Sequence, residues 1–285
     1  MGAPRALVLQ AGEVVRDLPR RSHVPPRTAR PTHRYLGHRN LSHIDPRVFT
    51  VGAFNAHWGV HRRGVLRGRR FDAIAVIREL DADVVVVPEA WRHPDGELML
   101  DELAGDGYEI RSTLFAVLEE RMRRPGDVRP AGSWELAVCS RLPTTGWREL
   151  PLSPVFRDHA HARAALTCTV EVAGSSVDIV GIHTSSRLAT AGPIVHMRAI
   201  APRLPRADGP AVVAGDFNFW GPGVVSMLPG WRRSVRGRTW PAHRPHSQID
   251  HVLVNKHVEV LRGEVLDAYG SDHRPIRALL RIRET

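Results

Sequence analysis

Ala211-Val212-Val213-Ala214-Gly215-Asp216-Phe217-Asn218 sets the reading of this chain: an apolar run of strand length, with no polar face, stops at a glycine, and two polar side chains follow. At a side-chain period of two, Asp216 and Asn218 are expected to point the same way. A carboxylate and a carboxamide projecting together from a strand end can divide the labour of phosphate-ester chemistry. One accepts a proton or touches a metal, and the other donates to a phosphoryl oxygen. The plainer alternative is a loop entry in which both side chains bond their own backbone in Asx turns. The rest of the chain has to decide between the two.

Working outward, Phe49 to Asn55 reads as a first strand, Phe71 to Leu80 carries helical spacing, and Asp83-Val-Val-Val-Val87 is a second strand apolar on both faces. Short alternating segments follow at Leu136 to Ser140, Ala164 to Val172, Val177 to Ile182, Ile249 to Val254 and Ile276 to Ile282. Arg198 to Leu204 reads as a helix ended by Pro205. Many strands, few helices and no fixed repeat predict a layered α/β sandwich in one domain. We place that domain at residues 47–285. Residues 1–46 mix Arg, Pro, His and Thr, are too poor in apolar side chains to build a core, and are expected to form an arm, helical at most from Arg5 to Arg16.

Composition excludes more than it assigns. The formal charge is +10, but +6 of it falls in residues 1–49, so the expected domain is only mildly basic. Lys256 is the only lysine, and the arginine excess follows as readily from a GC-rich coding sequence as from phosphate binding. Cys139 and Cys168 both lie in apolar alternating segments. We expect buried thiols in a reducing compartment, with a disulfide open only if their strands are neighbours. There is no apolar run of membrane-spanning length and no signal-peptide pattern, so the chain reads as cytoplasmic, without an integral membrane segment; a monomer is expected.

The chemistry gathers where apolar strands stop. The first strand closes on Asn55, followed by Ala56-His57-Trp58-Gly59, the second on Pro88-Glu89-Ala90-Trp91, and Val177 to Ile182 on His183-Thr184-Ser185-Ser186. Asp216 and Asn218 come next, and Gln248-Ile249-Asp250-His251 and Gly270-Ser271-Asp272-His273 are read as bracketing the last hairpin.

In this order the motifs resemble the endonuclease/exonuclease/phosphatase superfamily over about residues 48 to 285. The resemblance implies a deoxyribonuclease-like four-layer α/β/β/α sandwich with two packed mixed β-sheets. It implies a divalent-metal-dependent phosphoesterase in which Glu89, Asp272 and Asn55 form the site of magnesium or manganese. It also implies that His273, oriented by Asp250, contacts the scissile phosphate and moves protons, that Asp216 handles the attacking water, that Asn218 holds a phosphoryl oxygen, and that His183 stabilises developing charge. In the superfamily an arginine placed like Arg163 can approach the phosphate; beside the site Trp91 and His57 are candidates for the substrate side, Trp91 packing and His57 a structural role being the plainer readings. The substrate would be a phosphate ester carried by nucleic acid, phospholipid or a small phosphorylated molecule, since the scaffold does not choose. Exonuclease III-type members usually carry Gly-Trp-Arg before the penultimate strand; here Thr239-Trp240-Pro241 departs from that pattern, which argues against abasic-site repair. The alternative is a non-catalytic nucleic-acid or phosphate-binding module on the same fold.

Overall fold

Val84 to Val87 and Ala211 to Ala214 lack a polar face, so each needs a place inside a sheet with cover on both sides. The computed structural model, which describes residues 45–61, 69–119, 131–158, 160, 163–186, 191–205 and 209–284, gives them that place in two six-stranded sheets. The first sheet contains β1 (Val48–Ala53), β2 (Val84–Arg92), β3 (Glu109–Leu118), β4 (Gly132–Ser140), β11 (Val258–Val265) and β12 (Ile276–Ile282), in the order β11-β12-β1-β2-β4-β3. The second contains β5 (Thr144–Pro151), β6 (Ala164–Val172), β7 (Ser175–His183), β8 (Ala211–Asp216), β9 (Arg232–Arg233) and β10 (Asp250–Val254), in the order β5-β6-β7-β8-β10-β9. Both sheets are mixed: β1 and β2 run parallel, as do β7 and β8, and the other pairings are antiparallel.

Each parallel pair is bridged by a helix, α1 (Ala73–Leu80) in the first sheet and α2 (Ala191–Ile200) in the second, as a parallel connection requires. Alternation then sorts the apolar strands into layers. Val84 and Val86 pack between the sheets with Val212, Ala214 and Ile179, whereas Val85 and Val87 pack outward with Ile74, Ile77 and Leu80 of α1. Val213 and Ile182 pack outward with Met197 and Ile200 of α2 and Val224 of α3 (Gly221–Met227). The four-layer α/β/β/α sandwich is therefore present, with thin helical layers. No described helix is long and apolar enough to cross a membrane.

Several expectations change. Strands β3, β5 and β11 had no clear signal because each lies at a sheet edge with an exposed face, and so lacks the apolar repeat of the interior strands. The helix read at Arg198 to Leu204 is the end of α2 and a following 3-10 turn, and α2 starts back at Ala191 because Pro193 sits in its first turn, where no amide donor is required. Asp250 opens β10 of the second sheet, so only Ser271-Asp272-His273 lies in the final hairpin, between β11 and β12. Cys139 packs outside the first sheet and Cys168 between the sheets; both are free, and burial pushes both thiols up to about 12. The expected arm, apart from Asp45 and Pro46, lies outside the described residues.

The sheets come close at Gly181 of β7, where an added Cβ would stand 2.8 Å from Val138 Cγ2 and 3.2 Å from Val86 Cγ1. Gly181→Val should therefore wedge the sheets apart and cost about 2 kcal/mol or more. Gly209→Ala, with nothing within 4 Å of the new Cβ, should stay within about 0.5 kcal/mol of the parent. Urea midpoints compare the two.

Candidate active site

Strand register brings the polar strand ends into rows. Across the second sheet His183 pairs with Asp216 and Asp216 with Asp250. In the first sheet Ala53 pairs with Val86 and Ile276, which sets Asn55, Glu89 and the Ser271-Asp272-His273 turn just beyond one row. Ser271 Oγ ties the turn down by donating to the Asn55 carbonyl at 2.6 Å and accepting the His273 amide at 3.1 Å.

Local backbone departures aim these side chains. In β2 the register jumps between Val87 and Ala90, so Pro88 and Glu89 face a single residue of β4, and Glu89 takes φ 55°. A bulge of this kind re-aims a side chain, at the cost of local strain. Gly215 has φ 136°, and a Cβ there would stand 2.0 Å from the Ile182 carbonyl oxygen, so glycine is required just before Asp216. Asn218 sits at φ 46°, beyond the end of β8, so the period-two argument does not apply to it. Instead its amide donates to Asp216 Oδ1 at 2.8 Å, and its Nδ2 to the Thr184 carbonyl at 2.9 Å. The Asx turn is real, and it leaves Asp216 Oδ2 for the site.

That oxygen is the centre of the cluster. Asp216 Oδ2 accepts from Asn55 Nδ2 at 3.0 Å and lies 3.6 Å from His183 Nε2 and 3.8 Å from His273 Nε2. His273 Nδ1 donates to Asp250, whose oxygens are 2.9 and 3.1 Å away, and this fixes which nitrogen faces Asp216. Burial works against a charged His273, but Asp250 and Asp216 outweigh it and hold its pKa well above the ordinary value. Burial raises the Asp216 carboxyl, opposed by His273 and reinforced by Asp250. His183 goes the other way: burial, then the charges of Arg163 and His273, hold it well below the ordinary value. The site thus contains one charged and one neutral imidazole on either side of one carboxyl group.

Glu89 and Asp272 form the side suited to a cation. Glu89 Oε1 lies 3.4 Å from Asn55 Nδ2 and 4.0 Å from His183 Nε2, while Oε2 is buried with no hydrogen-bond partner among the described residues. Burial raises the Glu89 carboxyl, with Asp272 adding to the rise. A buried carboxylate so placed needs positive charge beside it. Asp272 Oδ2 accepts from Trp240 Nε1 at 3.2 Å. Asn55 turns its amide toward Glu89 and Asp216 and gives its oxygen to the His57 amide at 3.0 Å, so it orients carboxylates. Asp216, Asp250 and His273 also bring donor atoms within 4.8 Å of one another. His273 and Asp250 already bond each other, however, so the buried, unpartnered Glu89 oxygen is the stronger mark of a cation.

The three expected substrate-side residues are engaged by the protein itself. Trp91 is buried between the sheets and donates to the Ala131 carbonyl at 3.1 Å, so it packs. His57 is buried beside the cluster, with Nδ1 2.8 Å from the Val60 carbonyl. Arg163 is locked behind His183: Nε and Nη2 bond Asp158 at 2.8 and 3.1 Å, Nη1 donates to the His183 carbonyl at 3.2 Å, and the guanidinium lies against the Trp134 and Phe115 rings. The same rings flank the His183 imidazole. Behind them His196 accepts the Ser185 amide on Nδ1 and donates from Nε2 to the Ser153 carbonyl, both at 3.0 Å. Nothing local in the sequence marks Asp158 or His196 for these places.

Two packed six-stranded sheets, with carboxylates and histidines meeting at their strand ends, define an α/β sandwich of the deoxyribonuclease I type. The chain belongs to the endonuclease/exonuclease/phosphatase family, whose model matches residues 52–273. This superfamily consists mostly of hydrolytic nucleases and phosphatases. A solved family member from Beutenbergia cavernae is 25% identical, with TM-score 0.64 over 83% of this chain and 72% of that one. A mannosyl-6-phosphatase from Bacteroides thetaiotaomicron (15% identity, TM-score 0.62, 81% of this chain and 99% of that) has the same fold. So has D. rerio TDP2 complexed with a single-strand DNA product (13%, 0.59, 82% and 99%). No curated protein matches the chain.

Two predictions concern the supports. Asp158 and Arg163 are a buried pair, 6% and 4% exposed at their side chains. Asp158→Ala should cost about 3–5 kcal/mol by stranding the guanidinium, and the double variant Asp158→Leu/Arg163→Met should cost less than the two single changes together. Chemical denaturation closes that cycle. Burial lowers both His196 and His251 to about 4. The folded chain holds these rings neutral while the unfolded chain binds protons below about 6.5, so stability is full above that pH and falls as the pH drops toward 4, by about 3 kcal/mol per histidine. Replacing both with Gln should flatten that part of the stability curve.

Proposed function

We propose that this chain is a divalent-metal-dependent phosphoesterase that hydrolyses phosphodiester or phosphomonoester bonds by attack of water. The observation that carries the reading is the His273–Asp250 pair facing Asp216 within one cluster that also holds the unpartnered, buried Glu89 oxygen. Glu89 and Asp272 would hold magnesium or manganese, whose hardness suits carboxylate oxygen, with Asn55 fixing the Glu89 orientation. When bound, such an ion polarises a phosphoryl oxygen and offsets charge in the transition state.

The protein groups supply the rest. Asp250 holds the His273 ring so that Nε2 points at the reacting region, where it can donate to a phosphoryl or leaving oxygen. Asp216, held by Asn55 and by the Asn218 amide, is placed to orient the attacking water and take its proton. Neutral His183 can donate from Nε2 as negative charge grows. Asn218 keeps a second Nδ2 proton beyond the one given to Thr184, and that proton is available to a phosphoryl oxygen.

Hydrolysis of bis-p-nitrophenyl phosphate and p-nitrophenyl phosphate is expected with magnesium or manganese and should stop in EDTA. His273→Ala and Asp216→Ala should each lose on the order of 100-fold or more in kcat. Turnover unchanged in either variant, or unaffected by EDTA, would overturn the assignment.

A further inference from the structure

One carboxamide joins the active site to an exposed basic and aromatic surface. Gln248 Oε1 accepts from Arg233 Nη1 at 3.1 Å and from the Gly237 amide at 3.3 Å, and its Nε2 donates to the Val235 carbonyl at 2.9 Å and the Asp250 carbonyl at 3.4 Å. The start of α3 lies against the same group, since a Cβ on Gly221 would meet Arg233 Nη1 at 2.2 Å and Gln248 Oε1 at 3.4 Å. Gly237, flanked by Arg236 and Arg238, is bonded to buried Gln248, and Gly221, preceded by Trp220, lies against the Arg233–Gln248 pair, so both segments meet two residues from Asp250.

The side chains so gathered are unusual for a surface with no task. Trp220 is 52% exposed and stacked on Phe219, two residues after Asn218. From Trp231 to Ser247 there are five arginines and no acid. Arg236, Arg238 and Arg244 are exposed, and among the described residues none of them makes an ion pair. The segment is also tied to the opposite side of the site, because the Ala242 amide donates to the Asp272 carbonyl at 2.7 Å and Arg274 Nε to the Ala242 carbonyl at 3.0 Å. An exposed indole and unpaired guanidinium groups on two segments that meet at one carboxamide match a base and a run of phosphates, and the indole asks for a splayed base that a closed duplex does not offer. A small sugar phosphate would leave the arginines unused.

We propose that Trp220, with Arg236 and Arg238, is the contact surface for a single-stranded polynucleotide whose scissile phosphate enters the Asp216–His273 cluster. Trp220 stacks the base adjoining that phosphate, and the arginines neutralise phosphates further along the strand. This deepens the phosphoesterase reading and rests on it for the position of the cut.

The test is binding of a fluorescein-labelled oligothymidylate of about ten nucleotides to the full chain in EDTA, across a salt series. Trp220→Ala should weaken binding about tenfold or more, and Trp220→Phe should restore most of it. Arg236→Ala/Arg238→Ala should lower the slope of log affinity against log salt by about 1.4. Any Arg-rich arm is common to all variants and cancels. No binding at low salt, equal binding by the Trp220→Ala and parent chains, an unchanged slope, or displacement of the oligonucleotide by anionic phosphatidylglycerol vesicles would each overturn the proposal. Trp220-dependent binding without hydrolysis would count against the phosphoesterase reading alone, whereas hydrolysis with Trp220-independent binding would count against this surface alone.

Discussion

The bond between Asp250 and His273 joins the two sheets at the point where the chemistry gathers. Asp250 opens β10 in the second sheet, and His273 lies in the turn between β11 and β12 of the first. If the sheets slid or splayed, the imidazole would lose its orienting carboxylate and Asp216 would lose its nearest cationic neighbour. The inter-sheet packing of Val86, Val138, Ile179 and Val212 is thus a condition of the site as much as of the fold. Close packing makes that condition stringent, because a core at crystal-like density does not shear gradually.

The cluster gathers four carboxyl groups, burying those of Asp216, Asp250 and Asp272 and most of Glu89, with few positive partners. Burial at that density is unfavourable, and the fold offsets it by fixed means: the Asn55 amide, the Asn218 backbone, the His273 ring and, behind His183, the Arg163–Asp158 pair pressed against Trp134 and Phe115. Backbone departures at Glu89, Gly215 and Asn218 belong to the same arrangement. Repulsion and strain are thus held in a rigid frame rather than relaxed.

Much of this was legible in the chain because interior strands are apolar on both faces and their polar ends stand out against them. Asn55, Glu89, His183, Asp216, Asp250, Asp272 and His273 were all found that way, and the structure gathers them into one cluster. Edge strands β3, β5 and β11 were not, since an uncovered face carries no such contrast. The supports were also hidden: Gln248 serves Arg233 and Gly237, 15 and 11 residues away, and His196 reaches Ser153 across 43 residues. Partners at those separations leave no local pattern. Arg163 shows the converse error, in that a residue correctly drawn to the site proved to face its rear, because its guanidinium found Asp158 five residues away.

The sheet order has a consequence for how the molecule comes into being. β1, the first strand along the described chain, hydrogen-bonds on one side to β2 and on the other to β12, the last. During synthesis the first sheet therefore waits with an unpaired central edge until β12 has emerged, and closing it joins segments more than 200 residues apart. His273 arrives in the same stretch. A nascent chain thus has neither a finished first sheet nor a complete site, and for much of its synthesis it exposes Val48–Ala53 as a bare apolar edge of the kind that chaperones shield.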